Sequence, residues 1–305
     1  MPNTNDSLDD KTSRPAIRAY LGGSFDPVHQ GHIQMAMYVY ERLLPIAEGQ
    51  QRDLHVSLLP NSRSPFKQKS TDPHHRLAML KLATLETPIQ IDELELWQTP
   101  PVYTIDSVRT LRERYPHDSL IFIIGMDSAL SLPHWKEGLA LTNHVNLWIF
   151  SRSHVSRIFD KDGADKDDVD NDILPDPDNM PNTDTIQAKL PVPLQSLVVG
   201  TPTELVTPIT KALATNTGLK STHQGHIYID ARPVAAVSST QIREQLQSVQ
   251  DRLNIMQAAD RQMTSIPPIN DIMSHTATNP LPKWLNPAVY HYIIAHQLYS
   301  AAQFR

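Results

Sequence analysis

The 305-residue sequence contains no cysteine. That excludes disulfides, thiolate metal centres and a cysteine nucleophile together. It also lacks any stretch near the roughly 18–20 consecutive apolar residues that a membrane-spanning helix needs. The opening segment, MPNTNDSLDDKTSRP, is polar and mixed in charge, so it reads as a disordered tail over 1–16 and not as a secretory signal. Positive charge is in short supply, the net charge being −6. A nucleic-acid partner wants a basic surface, so neither nucleic acid nor a membrane is expected as a partner. A small anionic ligand needs only a local positive pocket. With 40% apolar and 20% charged residues, the composition is that of a soluble globular protein, expected in the cytoplasm. Whether it forms a homo-oligomer is left open.

Short apolar runs alternate with amphipathic stretches. Strands are expected at Arg18–Gly22, Leu54–Leu59, Ile89–Ile91, Leu120–Gly125 and Val145–Phe150. Between them, Ile33, Met37, Tyr40 and Leu44 recur at helical spacing, as do Ile105, Val108, Leu111 and Tyr115. Asp72-Pro73 supplies a capping carboxylate and a first-turn proline, with Leu77, Leu80 and Leu85 following. Near-continuous apolar strands separated by helices predict a parallel sheet covered on both faces, a Rossmann-like α/β fold. Order returns with Leu197–Val199, His226–Asp230, a helix from Ser239 and a closing helix from Pro287. The expected organisation is a single domain over 17–299, with a small C-terminal helical part and two long insertions at about 154–195 and 250–280. Asp168, Asp170 and Asp172 alternate like a calcium loop, but Ile173 and Asn179 stand where such a loop needs Gly and Glu, so calcium is rejected. No dedicated metal site is expected from the 14 scattered histidines.

The densest signal is Gly22-Gly23-Ser24-Phe25-Asp26-Pro27-Val28-His29-Gln30-Gly31-His32, between the first strand and the first helix. An open α/β sheet binds its ligand there. Glycines let backbone approach a phosphate, and a helix start offers unpaired N–H groups to an anion. His29 and His32, three residues apart around Gly31, can face one bound group and stabilise charge on a transferred phosphoryl. In Val237-Ser238-Ser239-Thr240-Gln241-Ile242-Arg243, Ser238 and Gln241 resemble a capping box. Ser239, Thr240 and Arg243 then form a second phosphate grip.

On these two motifs, together with PPVYTIDSVRTLRERYP at 100–116, FIIGMDSALSLPHW at 122–135 and LPKWLNPAVYHYIIAHQLY at 281–299, the chain resembles the HxGH nucleotidyltransferase superfamily. Within it, the VYT and GMDSALSLPHW segments are similar to the bacterial nicotinate-nucleotide adenylyltransferases. The resemblance implies transfer of AMP from ATP to nicotinate mononucleotide, with Mg²⁺ on the ATP phosphates and Asp26 close to it through water. It implies that His29 and His32 contact the ATP phosphates, that Gly22, Gly23, Ser24 and Phe25 line the nucleotide pocket, and that Gly125 and Asp127 sit beside the adenosine. Ser239, Thr240 and Arg243 would hold the outgoing phosphates. Trp135 would stack on the pyridine ring, with Thr104 and the backbone around Trp135-Lys136 holding its carboxylate. In Ser64-Pro65-Phe66-Lys67 the family commonly has Pro-Pro-His-Lys, so Phe66 replaces a histidine near the acceptor phosphate while Lys67 keeps its charge. Two alternatives remain: another phosphate acceptor, nicotinamide mononucleotide or phosphopantetheine, and a non-catalytic nucleotide-binding regulator.

Overall fold

The computed structural model describes residues 14–63, 70–151, 183–206, 225–235, 237–248 and 281–299. In chain order the elements are β1 (Ile17–Gly23), α1 (Gln30–Gln50), β2 (Leu54–Pro60), α2 (Pro73–Thr84), β3 (Gln90–Ile91), α3 (Thr104–Arg114), β4 (Ser119–Gly125), α4 (Met126–Ser131) and β5 (Asn146–Phe150). There follow α5 (Thr183–Gln187), α6 (Val192–Gln195), β6 (Val198–Val199), β7 (Ile227–Asp230), α7 (239–248), α8 (Leu281–Trp284) and α9 (Pro287–Ala295). The strands form one sheet in the order β3-β2-β1-β4-β5-β7-β6, and every pairing is parallel. This is the expected Rossmann-like architecture. Its topological switch point falls between β1 and β4, so a ligand crevice is due outside the C-terminal ends of those two strands.

Each face of the sheet carries its own core. On one, α1, α2, α7 and the C-terminal helices bury Val39, Leu43, Leu80, Ile242, Val289 and Ile293 against Ala19, Val56 and Trp148. On the other, α3 and α4 bury Ile105, Val108, Leu111 and Ala129 against Phe122, Ile124 and Ile149. Strand β4 is buried along its whole length, which is why its sequence is apolar on both faces.

Two helices turn differently from the expected stripes. In α1 the deepest residues are Gly31, Met35, Ala36, Val39 and Leu43, while Ile33, Met37, Tyr40 and Leu44 are half-buried at the edge. The helix is apolar around much of its circumference, and the stripe of smaller residues lets it approach the sheet more closely. In α2 the buried face is Arg76, Met79, Leu80 and Ala83, and Leu85, just past its end, is 79% exposed. At the N-terminus, Ala16 belongs to the fold, being buried with its N–H donating to Asp118 at 2.9 Å. Residues 183–195, placed at the end of the first expected insertion, pack Ile186, Leu190 and Leu194 into the second core. The rest of that segment and the whole 250–280 stretch lie outside the described residues. Among the described residues no helix is long and apolar enough to cross a membrane.

Candidate active site

The loop after β1 is shaped by what a side chain would strike. A Cβ on Gly22 would lie 2.7 Å from Phe122 Cζ on the neighbouring strand, so only glycine lets β1 end beside β4. Phe25 adopts φ 47°, the left-handed region that costs a non-glycine residue some strain, and its fully buried ring meets the His32 ring edge-on at 4.9 Å. Phe25 therefore supports the loop from beneath and does not form a cavity wall. Asp26 is also buried. Its carboxylate accepts from the Thr71 N–H at 3.1 Å and from the Tyr299 hydroxyl at 2.8 Å. It acts as a knot between the loop and the C-terminal segment.

His29 has the extended backbone of an N-cap at the start of α1, and its N–H donates to His32 Nδ1 at 3.3 Å. The two imidazoles stack with centroids 3.6 Å apart and planes 24° from parallel. Because Nδ1 of His32 accepts, the proton of its neutral ring sits on Nε2, as a donor. Gly31 makes the stack possible, since a Cβ there would press on the Ala235 carbonyl at 3.1 Å and the His29 ring at 3.2 Å.

The second motif docks directly onto this loop. Ser238 and Gln241 form the expected reciprocal cap, with N–H to Oε1 at 2.9 Å and N–H to Oγ at 3.2 Å. The Ser239 hydroxyl donates to the Pro27 carbonyl at 2.9 Å. Arg243 donates to the Asp26 carbonyl at 2.6 Å and to Thr240 Oγ1 at 3.0 Å. Those bonds use two of the five guanidinium N–H donors. Motifs more than 200 residues apart thus meet at the Asp26-Pro27 turn.

A cavity of about 580 Å³ opens where the topology requires, within the usual range for a small-molecule site. Gly22, Gly23, Ser24 and His32 line it together with Gly125, Asp127, Thr104, Trp135 and Lys136. Gly125 ends β4 and caps α4, placing Asp127 in that helix's first turn. Thr104 is the first residue of α3. Trp135 is oriented by its indole N–H, which donates to Ser131 Oγ at 3.0 Å. Gly138 closes that turn, because a Cβ there would fall 2.1 Å from the Leu132 carbonyl. Lys136 lies over the Tyr103 ring and pairs with Asp106 at 2.9 Å, so its charge is already engaged. His29, Ser239, Thr240 and Arg243 surround the Asp26-Pro27 turn beside the cavity without lining it. Lys67 and Phe66 lie outside the described residues.

Two residues of this region stand outside the motifs. Arg76 of α2 is fully buried, and its guanidinium donates to four carbonyls: Thr71 at 3.0 Å, Ser24 at 2.8 Å, Asn61 at 2.7 Å and Ser62 at 2.6 Å. It holds the backs of two loops whose fronts, at Ser24 and Asn61, face the cavity. A charged residue within the apolar stripe of Met79, Leu80 and Ala83 was the available signal. Glu95 is buried and lines the cavity, and burial pushes its carboxyl up to about 7.

A family model described as cytidylyltransferase-like matches residues 20–245. A probable nicotinate-nucleotide adenylyltransferase of Pseudoalteromonas atlantica is 40% identical over 141 residues, 46% of this chain and 60% of its own length. The chain thus spans about three fifths of that relative. A second probable nicotinate-nucleotide adenylyltransferase, from Idiomarina loihiensis, is 28% identical over 285 residues, 93% of this chain and 99% of its own. Among solved structures, a Plasmodium falciparum nicotinic acid mononucleotide adenylyltransferase complexed with NaAD has a TM-score of 0.50 at 18% identity, over 93% of this chain and 97% of that one. That likeness is one of fold. With its glycine-rich first loop, its paired histidines and a family match across most of its length, the chain belongs to the cytidylyltransferase-like family.

Proposed function

We propose that the protein transfers AMP from ATP to nicotinate mononucleotide, forming deamido-NAD and pyrophosphate. One observation carries the reading: a single cavity joins the His32 end of α1 to the wall made by Thr104 and Trp135. The names of the relatives from Pseudoalteromonas atlantica and Idiomarina loihiensis agree with it.

In this reading an oxygen of the acceptor's 5′-phosphate attacks the α-phosphorus of ATP. The bond from that phosphorus to the bridging oxygen breaks, and pyrophosphate leaves with the electron pair. The attacking oxygen is already ionised at neutral pH, so no general base is needed, and catalysis is positioning and charge neutralisation. Mg²⁺ enters on the ATP phosphates as part of the substrate. The Nε2–H of His32, with His29 stacked on it, donates to the phosphates at the start of α1. Gly22, Gly23 and Ser24 let backbone approach the nucleotide, and Gly125 and Asp127 meet the adenosine. Ser239, Thr240 and the remaining donors of Arg243 grip the leaving phosphates. Trp135 stacks on the pyridine ring, Thr104 and the backbone at Trp135-Lys136 donate to its carboxylate, and Lys67 serves the acceptor phosphate. The cytoplasm is the proposed location.

Pyrophosphate release from MgATP, measured with nicotinate mononucleotide, nicotinamide mononucleotide and phosphopantetheine, tests the assignment. A carboxylate accepts from every donor in the proposed pocket, whereas an amide leaves one or more donors unpaired, at roughly 1–3 kcal/mol each. The acid should therefore exceed the amide in kcat/KM by roughly ten- to a hundredfold at neutral pH. Release with phosphopantetheine alone, or with no acceptor, would defeat the assignment.

A further inference from the structure

Glu95 follows β3, in a turn closed by the Gln98 N–H donating to the Glu95 carbonyl at 3.3 Å. Its side chain is among the buried charged groups, at 6% residue exposure, and it lines the same cavity as Thr104 and Trp135. On α3, Ser107 lies close enough to act on the Glu95 carboxyl, and its own hydroxyl is buried with no hydrogen-bond partner among the described residues. Ser107 stands three residues beyond Thr104, so the two share one face of the helix with their Cβ atoms roughly 5–6 Å apart. Glu95 and the hydroxyl proposed to read the pyridine substituent thus line one cavity, with Ser107 the α3 residue that neighbours Glu95.

Nothing described near Glu95 compensates a negative charge. The ionised group acting on it is Asp92, also an anion. The cation on this part of the cavity, Lys136, is held by Asp106 at 2.9 Å. Burial raises the Glu95 carboxyl most, Asp92 adds to that, and Ser107 opposes it, leaving the group at about 7. It therefore changes charge across the neutral range.

We propose that Glu95 sets the acid-over-amide preference of the pocket. Neutral, its carboxyl can donate a hydrogen bond to the carboxylate of a nicotinate group. Ionised, it repels that carboxylate and accepts from the NH₂ of a nicotinamide group. The inference rests on the proposed pyridine mononucleotide acceptor. Among the described residues, the other titratable groups of the cavity and its rim are Asp92, Tyr103, Asp106, Asp127, His32, His134 and Lys136. Those acting on the phosphates affect both acceptors alike and cancel in a ratio. A variant at Glu95 separates its contribution from theirs.

The test is the ratio of kcat/KM for nicotinate over nicotinamide mononucleotide at saturating MgATP, from pH 6 to pH 8, in wild type and Glu95→Gln. A group titrating near 7 is about nine-tenths neutral at pH 6 and one-tenth neutral at pH 8, so kcat/KM for the acid should fall roughly tenfold, and the ratio by roughly ten- to a hundredfold as the amide gains from the ionised form. In Glu95→Gln the ratio should stay flat. A flat wild-type ratio, or an equal slope in the variant, overturns the proposal while leaving the adenylyl-transfer reading intact. Absence of turnover with either mononucleotide in wild type overturns both. Should the variant not fold, calorimetry on wild type at pH 8 with a non-hydrolysable ATP analogue decides. Binding of the acid should take up close to one proton more than binding of the amide, and equal uptake refutes the proposal.

Discussion

Replacing Arg76 with lysine keeps the charge and removes the fork. The guanidinium serves four carbonyls in three directions, from Thr71, Ser24, Asn61 and Ser62, at 2.6–3.0 Å. An ammonium has three donors on one atom, so it can reach at most about two of these acceptors at once. Each carbonyl left buried and unpaired costs about 1–3 kcal/mol. Two of them cost about 4 kcal/mol at a middling value, roughly a thousandfold shift in the folding equilibrium. The loss should also reach the chemistry, because the freed Ser24 and Asn61 segments line the cavity. A displacement of about 1 Å in a positioning element can cost a hundredfold, so a fall of roughly tenfold or more in kcat/KM is expected. Urea unfolding followed by tryptophan fluorescence gives the first quantity, with the fully buried Trp148 as the natural reporter. A steady-state assay gives the second. An Arg76→Lys protein within about 1 kcal/mol of wild type, with unchanged kcat/KM, would refute the claim that this residue holds the two loops.

His32→Ala should lower kcat by roughly 10²–10³ with the unfolding transition retained, as for the loss of one preorganised donor; near-normal turnover in the folded variant would remove His32 from the mechanism. Replacing residues 160–182 with a short Gly-Ser linker, which leaves α5 intact, should change neither activity nor thermal midpoint, since the aspartate- and proline-rich stretch has no apolar face to bury. A large drop in either would show that the segment packs on the domain or takes part in assembly.

The fold was legible because parallel strands buried on both faces read as unbroken apolar runs, as in Ser119–Gly125. The phosphate-facing loop was legible because its parts are contiguous, and the Ser238–Gln241 cap because capping chemistry is local. The face of α1 was misjudged for a physical reason. Where a helix is apolar around much of its girth, the sheet selects the stripe by closeness of approach, and small residues such as Ala36 and Gly31 win over Tyr40. Arg76 and Glu95 were missed because a buried charge is explained only by the groups that converge on it. The bond from Tyr299 to Asp26 joins residues 273 positions apart, which no local pattern encodes. Residues 183–195 look polar in sequence, yet Ile186, Leu190 and Leu194 are enough to anchor two short helices.

The central claim is that one cavity brings an ATP α-phosphorus and a nicotinate mononucleotide phosphate together. Mass analysis of the products formed by the purified full chain from MgATP and nicotinate mononucleotide tests it most directly. The expected result is deamido-NAD with one pyrophosphate for each dinucleotide formed. Conversion of ATP to AMP or ADP with no dinucleotide, or no consumption of either substrate, would contradict it.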